Sequence, residues 1–137
     1  MCKILTFGVF DYFHLGHLRL FKQCKRYADY LIVAVQNGEF IKKYKPDAKV
    51  LYSTNERVEI LESIRIVDKV VIYNTVGIEA LEKIENEIGF DILALGADHY
   101  GKRFDVIEDW CREHKKTVVR LKRTQGISSS EIKSELG

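Results

Sequence analysis

Phe7-Gly8-Val9-Phe10-Asp11-Tyr12-Phe13-His14-Leu15-Gly16-His17-Leu18 joins two kinds of sequence. Ahead of it, Lys3 to Phe7 is a short apolar run with the length of a buried strand; behind it, Leu15 to Ala28 follows a helical pattern. Between them stand two glycines and two histidines three residues apart, a spacing that puts both imidazoles on one face of a first helical turn. The free backbone N–H groups of such a turn, with the helix dipole, suit an anion. Gly8 is expected to let a ligand approach the strand end, and Gly16 to keep the space between the imidazoles clear of a side chain. A strand, a glycine turn and His-x-Gly-His together point to phosphate chemistry.

Outward from this stretch, short β-branched runs alternate with amphipathic segments. The strand candidates are Lys3–Phe7, Tyr30–Val35, Lys69–Ile72, Asp91–Leu95 and Thr117–Leu121. Helices are expected at Leu15–Ala28, Asn55–Ile64, Ile78–Ile88 and Phe104–His114, with a last one from Ser129. Strands that read as continuous apolar runs suit a parallel sheet covered on both faces. Right-handed crossovers then give a single α/β domain over residues 1–137, a Rossmann-like, doubly wound, five-stranded parallel sheet. In such sheets ligands bind beyond the carboxyl ends of the strands, where the winding direction switches.

The 137 residues are enough for one domain with a sizeable core, and 46% hydrophobic with 31% charged residues describes an ordinary globular chain. A net charge of +2 is too small to argue for nucleic acid or a membrane surface. Cys2, Cys24 and Cys111 are odd in number and unpatterned, as expected of reduced thiols in the cytoplasm. No apolar stretch approaches the roughly 20 residues that span a bilayer, and the N-terminus has no signal-peptide core.

Two further strand ends carry polar chemistry. One is Gly96-Ala97-Asp98-His99; the other is Lys122-Arg123-Thr124-Gln125-Gly126-Ile127-Ser128-Ser129-Ser130-Glu131, where Ser128 and Glu131 form a capping box for the last helix. Arg123, the Gly126 turn and the hydroxyls make a second anion site. The segment Gln36–Tyr52, with Lys42, Lys43, Lys45 and the sole proline, is expected to be a mobile basic loop over the site. Plainer readings stand beside these. Asp11 is a helix cap as readily as a ligand, and His14 and His17 with His99 could form a metal set. His114 reads as a capped surface group, and Tyr12 and Phe13 as packing residues.

Gly8-Val9-Phe10-Asp11, His14-Leu15-Gly16-His17, Arg65-Ile66-Val67-Asp68 and Arg123-Thr124-Gln125-Gly126-Ile127-Ser128-Ser129 together resemble the cytidylyltransferase family, its glycerol-3-phosphate branch in particular. The motifs fall in family order along the whole chain. His-x-Gly-His alone marks a wider nucleotidyltransferase superfamily, whereas Arg-Thr-x-Gly-Ile-Ser favours CTP. The resemblance implies that CTP and a small phosphorylated alcohol give a CDP-alcohol and pyrophosphate with Mg²⁺, in a cytoplasmic homodimer. It implies a catalytic set of His14, His17, Lys45 and Arg123. Nucleotide contacts would come from Gly8, Val9, Phe10, Asp11, Gly16, Arg65, Gly96, Asp98, Thr124, Gly126, Ile127, Ser128 and Ser129. The acceptor would meet Lys43, Asp68, Asn74 and His99, and Asp11 and Asp98 are candidates for Mg²⁺ or ribose. His99 stands where family members commonly have Trp, and Asn74–Gly77 lacks the Trp and Lys expected after the third strand. The alternatives are an adenylyltransferase of the FAD-synthase kind, using ATP, and a non-catalytic nucleotide-binding domain.

Overall fold

The computed structural model describes residues 1–38, 51–74, 77–96, 99 and 101–122. Five parallel strands, β1 (Lys3–Gly8), β2 (Tyr30–Gln36), β3 (Lys69–Tyr73), β4 (Ile92–Leu95) and β5 (Thr117–Arg120), form one sheet in the order β3-β2-β1-β4-β5. Among the described residues, four helices connect them: α1 (Leu15–Tyr27), α2 (Thr54–Glu62), α3 (Ile78–Glu87) and α4 (Lys102–Glu113). Each strand and each of the four helices lies within a residue or two of its expected span. The expected last helix from Ser129 lies outside the described residues.

The alternation of side chains along the strands divides the core into two layers. Ile4, Leu31, Val33, Val35 and Ala94 pack with Phe21 and Cys24 of α1 and Leu61 of α2. Leu5, Ile32, Ala34, Leu93 and Leu95 face the other way, onto Leu81 and Ile84 of α3 and Ile107, Trp110 and Cys111 of α4. A strand buried on both faces does not alternate polar and apolar residues, which is why β1, β2 and β4 read as nearly continuous apolar runs, with buried Thr6 the polar exception in β1. The order of the strands reverses at β1, so the crevice lies between the carboxyl ends of β1 and β4.

The two edges of the sheet are chemically unlike. At the amino edge aspartates accept the leading N–H groups: Asp91 takes that of Lys3 at 2.8 Å, Asp29 that of Cys2 at 3.0 Å and Asp68 that of Leu31 at 2.8 Å. At the carboxyl edge β1 runs into a turn in which Phe10 (φ 54°) and Tyr12 (φ 51°) adopt the left-handed conformation. For bulky residues that costs on the order of 1 kcal/mol or more each and must be held by packing. Phe10 is held: its ring is 5% exposed and lies against Phe21 (5.4 Å between centroids) and His17 (5.3 Å).

That packing corrects the expectation for Gly8. The space over its Cα is filled by the Phe10 ring, whose nearest carbon would lie 2.7 Å from a Cβ built on Gly8. A side chain there would have to displace the protein's own aromatic ring, which favours glycine at this position. Gly8→Ala should therefore destabilise the chain by about 1–3 kcal/mol through overpacking, read as a lowered midpoint in thermal or denaturant unfolding. An unchanged midpoint would show that the ring has room to move.

Candidate active site

His14 is the N-cap of α1, and its Nδ1 accepts the N–H of Gly16 at 3.0 Å. His17 answers as the third residue of the helix, with Nδ1 accepting the N–H of His14 at 3.3 Å. The result is a capping box built from two histidines in place of the usual Ser and Glu. The rings stack 3.9 Å apart at 23°. With each Nδ1 engaged as an acceptor, the neutral ring carries its proton on Nε2. The box also consumes amides expected to be free: Gly16 N–H goes to His14 Nδ1, and His17 N–H goes to the His14 carbonyl at 3.0 Å. The anion-binding capacity of this turn has thus passed from backbone N–H to imidazole N–H.

Burial first, and the neighbouring His14 second, push the His17 pKa down from its ordinary 6.5 to about 4. His17 is a neutral donor at physiological pH. No acidic residue stands in the first turn of α1, so nothing there competes with an incoming anion for the helix terminus.

Asp11 is 3% exposed and does not cap α1. The helix cap is His14, and the Asp11 carboxylate instead accepts the N–H groups of Leu51 (2.7 Å) and Tyr52 (3.0 Å). It thereby fastens the chain where it returns to α2. A carboxylate with both oxygens on backbone amides is a poor fit for Mg²⁺, a cation that demands nearly ideal octahedral oxygen geometry. Among the described residues no group of three His, Cys, Asp or Glu is arranged to hold a metal, and Asp98 lies outside them.

Beside Asp11 lies Arg57, fully buried, the largest such side chain and one that sequence reasoning missed. Its Nη1 donates to the carbonyls of Val9 and Gln36, both at 2.8 Å. Nε donates to Tyr52 O at 3.3 Å and Nη2 to Thr54 Oγ1 at 3.2 Å. Burial lowers the guanidinium pKa, and the charge of Asp11 opposes that effect. One signal was available: Ser53 and Glu56 form a capping box that starts α2 at Thr54, which leaves Arg57 one turn in, on the side of the helix that carries Leu61. A cation on the apolar face of a capped helix needs buried acceptors.

The remaining expected residues divide by edge. Val9, Phe10, Gly16 and Asn74 are at the carboxyl edge with the histidines; Asn74 Oδ1 accepts from Asn37 Nδ2 at 2.7 Å. Gly96 is there too, but both its backbone groups close a turn with His99: its N–H donates to His99 Nδ1 at 3.0 Å and its carbonyl accepts His99 N–H. The His99 ring stacks on Phe104 at 4.8 Å.

Asp68 is a correction. It sits at the amino edge, where it accepts from Leu31 N–H and from Lys25 Nζ (2.6 Å). Burial opposes its ionisation, but those hydrogen bonds prevail and hold the carboxyl below its ordinary value. Arg65 is exposed in the turn before β3, at the amino edge, whereas the histidines stand at the carboxyl edge. Lys43, Lys45, Asp98, Arg123, Thr124, Gly126, Ile127, Ser128 and Ser129 lie outside the described residues, as does the bulk of the expected basic loop.

A parallel sheet wound in both directions, with a histidine-capped helix opening at its switch point, is the architecture of a nucleotide-binding α/β enzyme. The chain belongs to the cytidylyltransferase-like family, whose model matches residues 5–135, and it is a nucleotidyltransferase. It is 39% identical over 137 residues to the glycerol-3-phosphate cytidylyltransferase of Bacillus subtilis (strain 168), covering 99% of this chain and 98% of that one. It is 35% identical over 106 residues to the FAD synthase of Thermococcus sibiricus, covering 76% of this chain and 66% of that one. Among solved structures, the lipopolysaccharide core biosynthesis protein of Thermoplasma volcanium shares the fold, with a TM-score of 0.69 at 24% identity over 90% of this chain and 97% of that one.

Two outcomes follow from the site's geometry. Arg57→Met should cost about 3–5 kcal/mol, since it strands the Val9, Gln36 and Tyr52 carbonyls and leaves Asp11 without its buried counter-charge. A calorimetric midpoint within a degree or two of the parent would contradict that. His17 has its folded pKa below the unfolded value, so the unfolded chain binds more protons between pH 6.5 and about 4. Stability should fall as pH drops through that window, and His17→Gln should flatten the fall, measured as melting temperature against pH.

Proposed function

We propose that the chain transfers CMP from CTP to a small phosphorylated polyol, glycerol 3-phosphate first among candidates, to give a CDP-alcohol and pyrophosphate. The observation that carries this reading is the histidine capping box: two Nε2–H donors, fixed by their own backbone contacts, at a helix N-terminus on the sheet's ligand-binding edge. A phosphate oxygen of the acceptor forms a bond to the α-phosphorus. The bond from that phosphorus to the bridging oxygen breaks, and pyrophosphate leaves with the electron pair. Negative charge grows on the non-bridging and leaving oxygens, where fixed N–H donors act without reorganisation. His14 and His17 serve there. Lys45 bridges the two substrates with Lys43 beside it, and Arg123, Thr124, Gly126, Ile127, Ser128 and Ser129 hold the outer phosphates.

Magnesium would accompany the triphosphate and neutralise part of its charge. With Asp11 engaged by backbone amides, Asp98 is the carboxylate left to touch it or the ribose. The setting proposed is a cytoplasmic homodimer. Among the described residues no helix is long and apolar enough to cross a membrane.

The similarity to glycerol-3-phosphate cytidylyltransferase over the whole chain supports CTP and glycerol 3-phosphate, and the similarity to FAD synthase supports a second reading with ATP. The deciding experiment is pyrophosphate release from CTP or ATP with a panel of phosphorylated alcohols and FMN, with product masses. CTP with a polyol phosphate is expected to be the productive pair; turnover only with ATP and FMN would establish the second reading. In the productive assay His14→Ala and His17→Ala should each lower kcat by about a hundredfold or more, the cost of a donor lost from a transition-state anion. Near-normal turnover in either variant would remove that histidine from the mechanism.

A further inference from the structure

Gln36 and Tyr73 are paired in register at the carboxyl ends of β2 and β3, and the ladder runs one step further, with Asn37 N–H donating to Tyr73 O at 3.0 Å. Asn37 and Asn74 therefore stand side by side just beyond neighbouring strands. Strand alternation settles which side they face. Tyr73 packs with the α3–α4 layer, together with Ala34 and Val71, whereas Val33, Val35 and Val70 belong to the α1–α2 layer. One residue past Gln36 and Tyr73, both asparagines fall on the α1 side, the side of the histidine box.

Their side chains meet there: Asn37 Nδ2 donates to Asn74 Oδ1 at 2.7 Å. That bond fixes the plane of the Asn74 amide and turns its NH2 group away from Asn37. The backbone beneath is held as well, since Gln36 O accepts from buried Arg57 and Gly38 N–H donates to Thr54 Oγ1 at 2.8 Å. From β1, Asn37 is one strand spacing away and Asn74 two, about 5 and 10 Å, a span that a short phosphate ester can bridge.

We propose that Asn74 is a specificity-determining residue for the acceptor, its NH2 group donating to an acceptor hydroxyl, and that Asn37 is the positioning residue that keeps it so directed. The inference rests on the phosphorylated-alcohol reading above and narrows it. A hydroxyl oxygen accepts from an amide N–H. An ammonium has no lone pair and is repelled by the same N–H donor. The site thus selects a polyol phosphate over an amino-alcohol phosphate by the sign of one hydrogen bond.

The test uses the full chain with CTP and compares kcat/KM for glycerol 3-phosphate, propyl phosphate and ethanolamine phosphate. The parent should favour glycerol 3-phosphate over both by about tenfold, the preference expected of an exposed donor that gains one net hydrogen bond in the complex. Asn74→Asp keeps the oxygen that Asn37 holds and replaces the outward donor with an acceptor. The preference for glycerol 3-phosphate over ethanolamine phosphate should fall at least about tenfold, with KM for CTP within about twofold of the parent. Asn37→Asp offers only acceptors, so it should draw the Asn74 NH2 inward, turn its oxygen outward and shift the preference in the same direction. A merely structural pair would lower all three acceptors alike. The inference is overturned if the parent handles propyl phosphate or ethanolamine phosphate as well as glycerol 3-phosphate. Preferences in both variants equal to the parent's would also overturn it. A parent that releases pyrophosphate from CTP with no phosphorylated alcohol overturns the underlying reading instead, and this inference with it.

Discussion

The contact on which the working edge depends is the buried guanidinium of Arg57. Parallel strands that end beside one another leave carbonyls with no further partner in the sheet, and a buried carbonyl without a donor is expensive. Arg57 supplies fixed donors in one plane and spends them on Val9, Gln36, Tyr52 and Thr54. It thus sets the exits of β1 and β2 and the entry of α2 at fixed distances from one another. Asp11 compensates its charge and at the same time fastens Leu51 and Tyr52. A lysine could not replace it, since a single ammonium cannot reach carbonyls on separate segments in a common plane.

This division of labour explains why two aspartates of similar appearance do different things. Asp68 and Asp11 both accept backbone N–H groups, but Asp68 closes the amino edge with Lys25, whereas Asp11, at the opposite end of the strands, braces the turn that leads into the histidines. The carboxyl edge carries buried Arg57, left-handed Phe10 and Tyr12, and rings stacked on one another. The amino edge carries ordinary strand-end hydrogen bonds. Strain and buried charge thus gather at the edge that carries the histidine box.

The fold was legible because its determinants are local: nearly continuous apolar runs of strand length, separated by helical periodicity, admit few arrangements other than a doubly wound sheet. The histidine pair was legible for the same reason, its spacing being that of a helical turn. What escaped was set by tertiary contact. Nothing local to Gly8 reveals that Phe10 folds back over it, because the left-handed φ of Phe10 is stabilised by Phe21, a turn and more along α1. Asp68 resembled a ligand by motif, yet its fate depends on which end of β3 it precedes. Arg57 was invisible as a site residue because its partners are backbone carbonyls, which leave no mark in a sequence. Its helix start at Ser53-x-x-Glu56 was nevertheless written plainly.

The histidine box carries a last implication. An imidazole that relays protons must exchange roles between its two nitrogens, accepting at one while donating at the other. In both rings Nδ1 is already bound to a backbone N–H of the same turn, and a relay would break the box that starts α1. These rings are built as fixed dipoles and not as shuttles. A phosphate monoester near neutral pH is already ionised, so on the proposed reaction the nucleophile needs no base and no proton need be in flight as the phosphorus changes partners. The rate of such a step should be nearly indifferent to replacing water with heavy water, which separates this helix terminus from the many histidine sites that work by acid–base exchange.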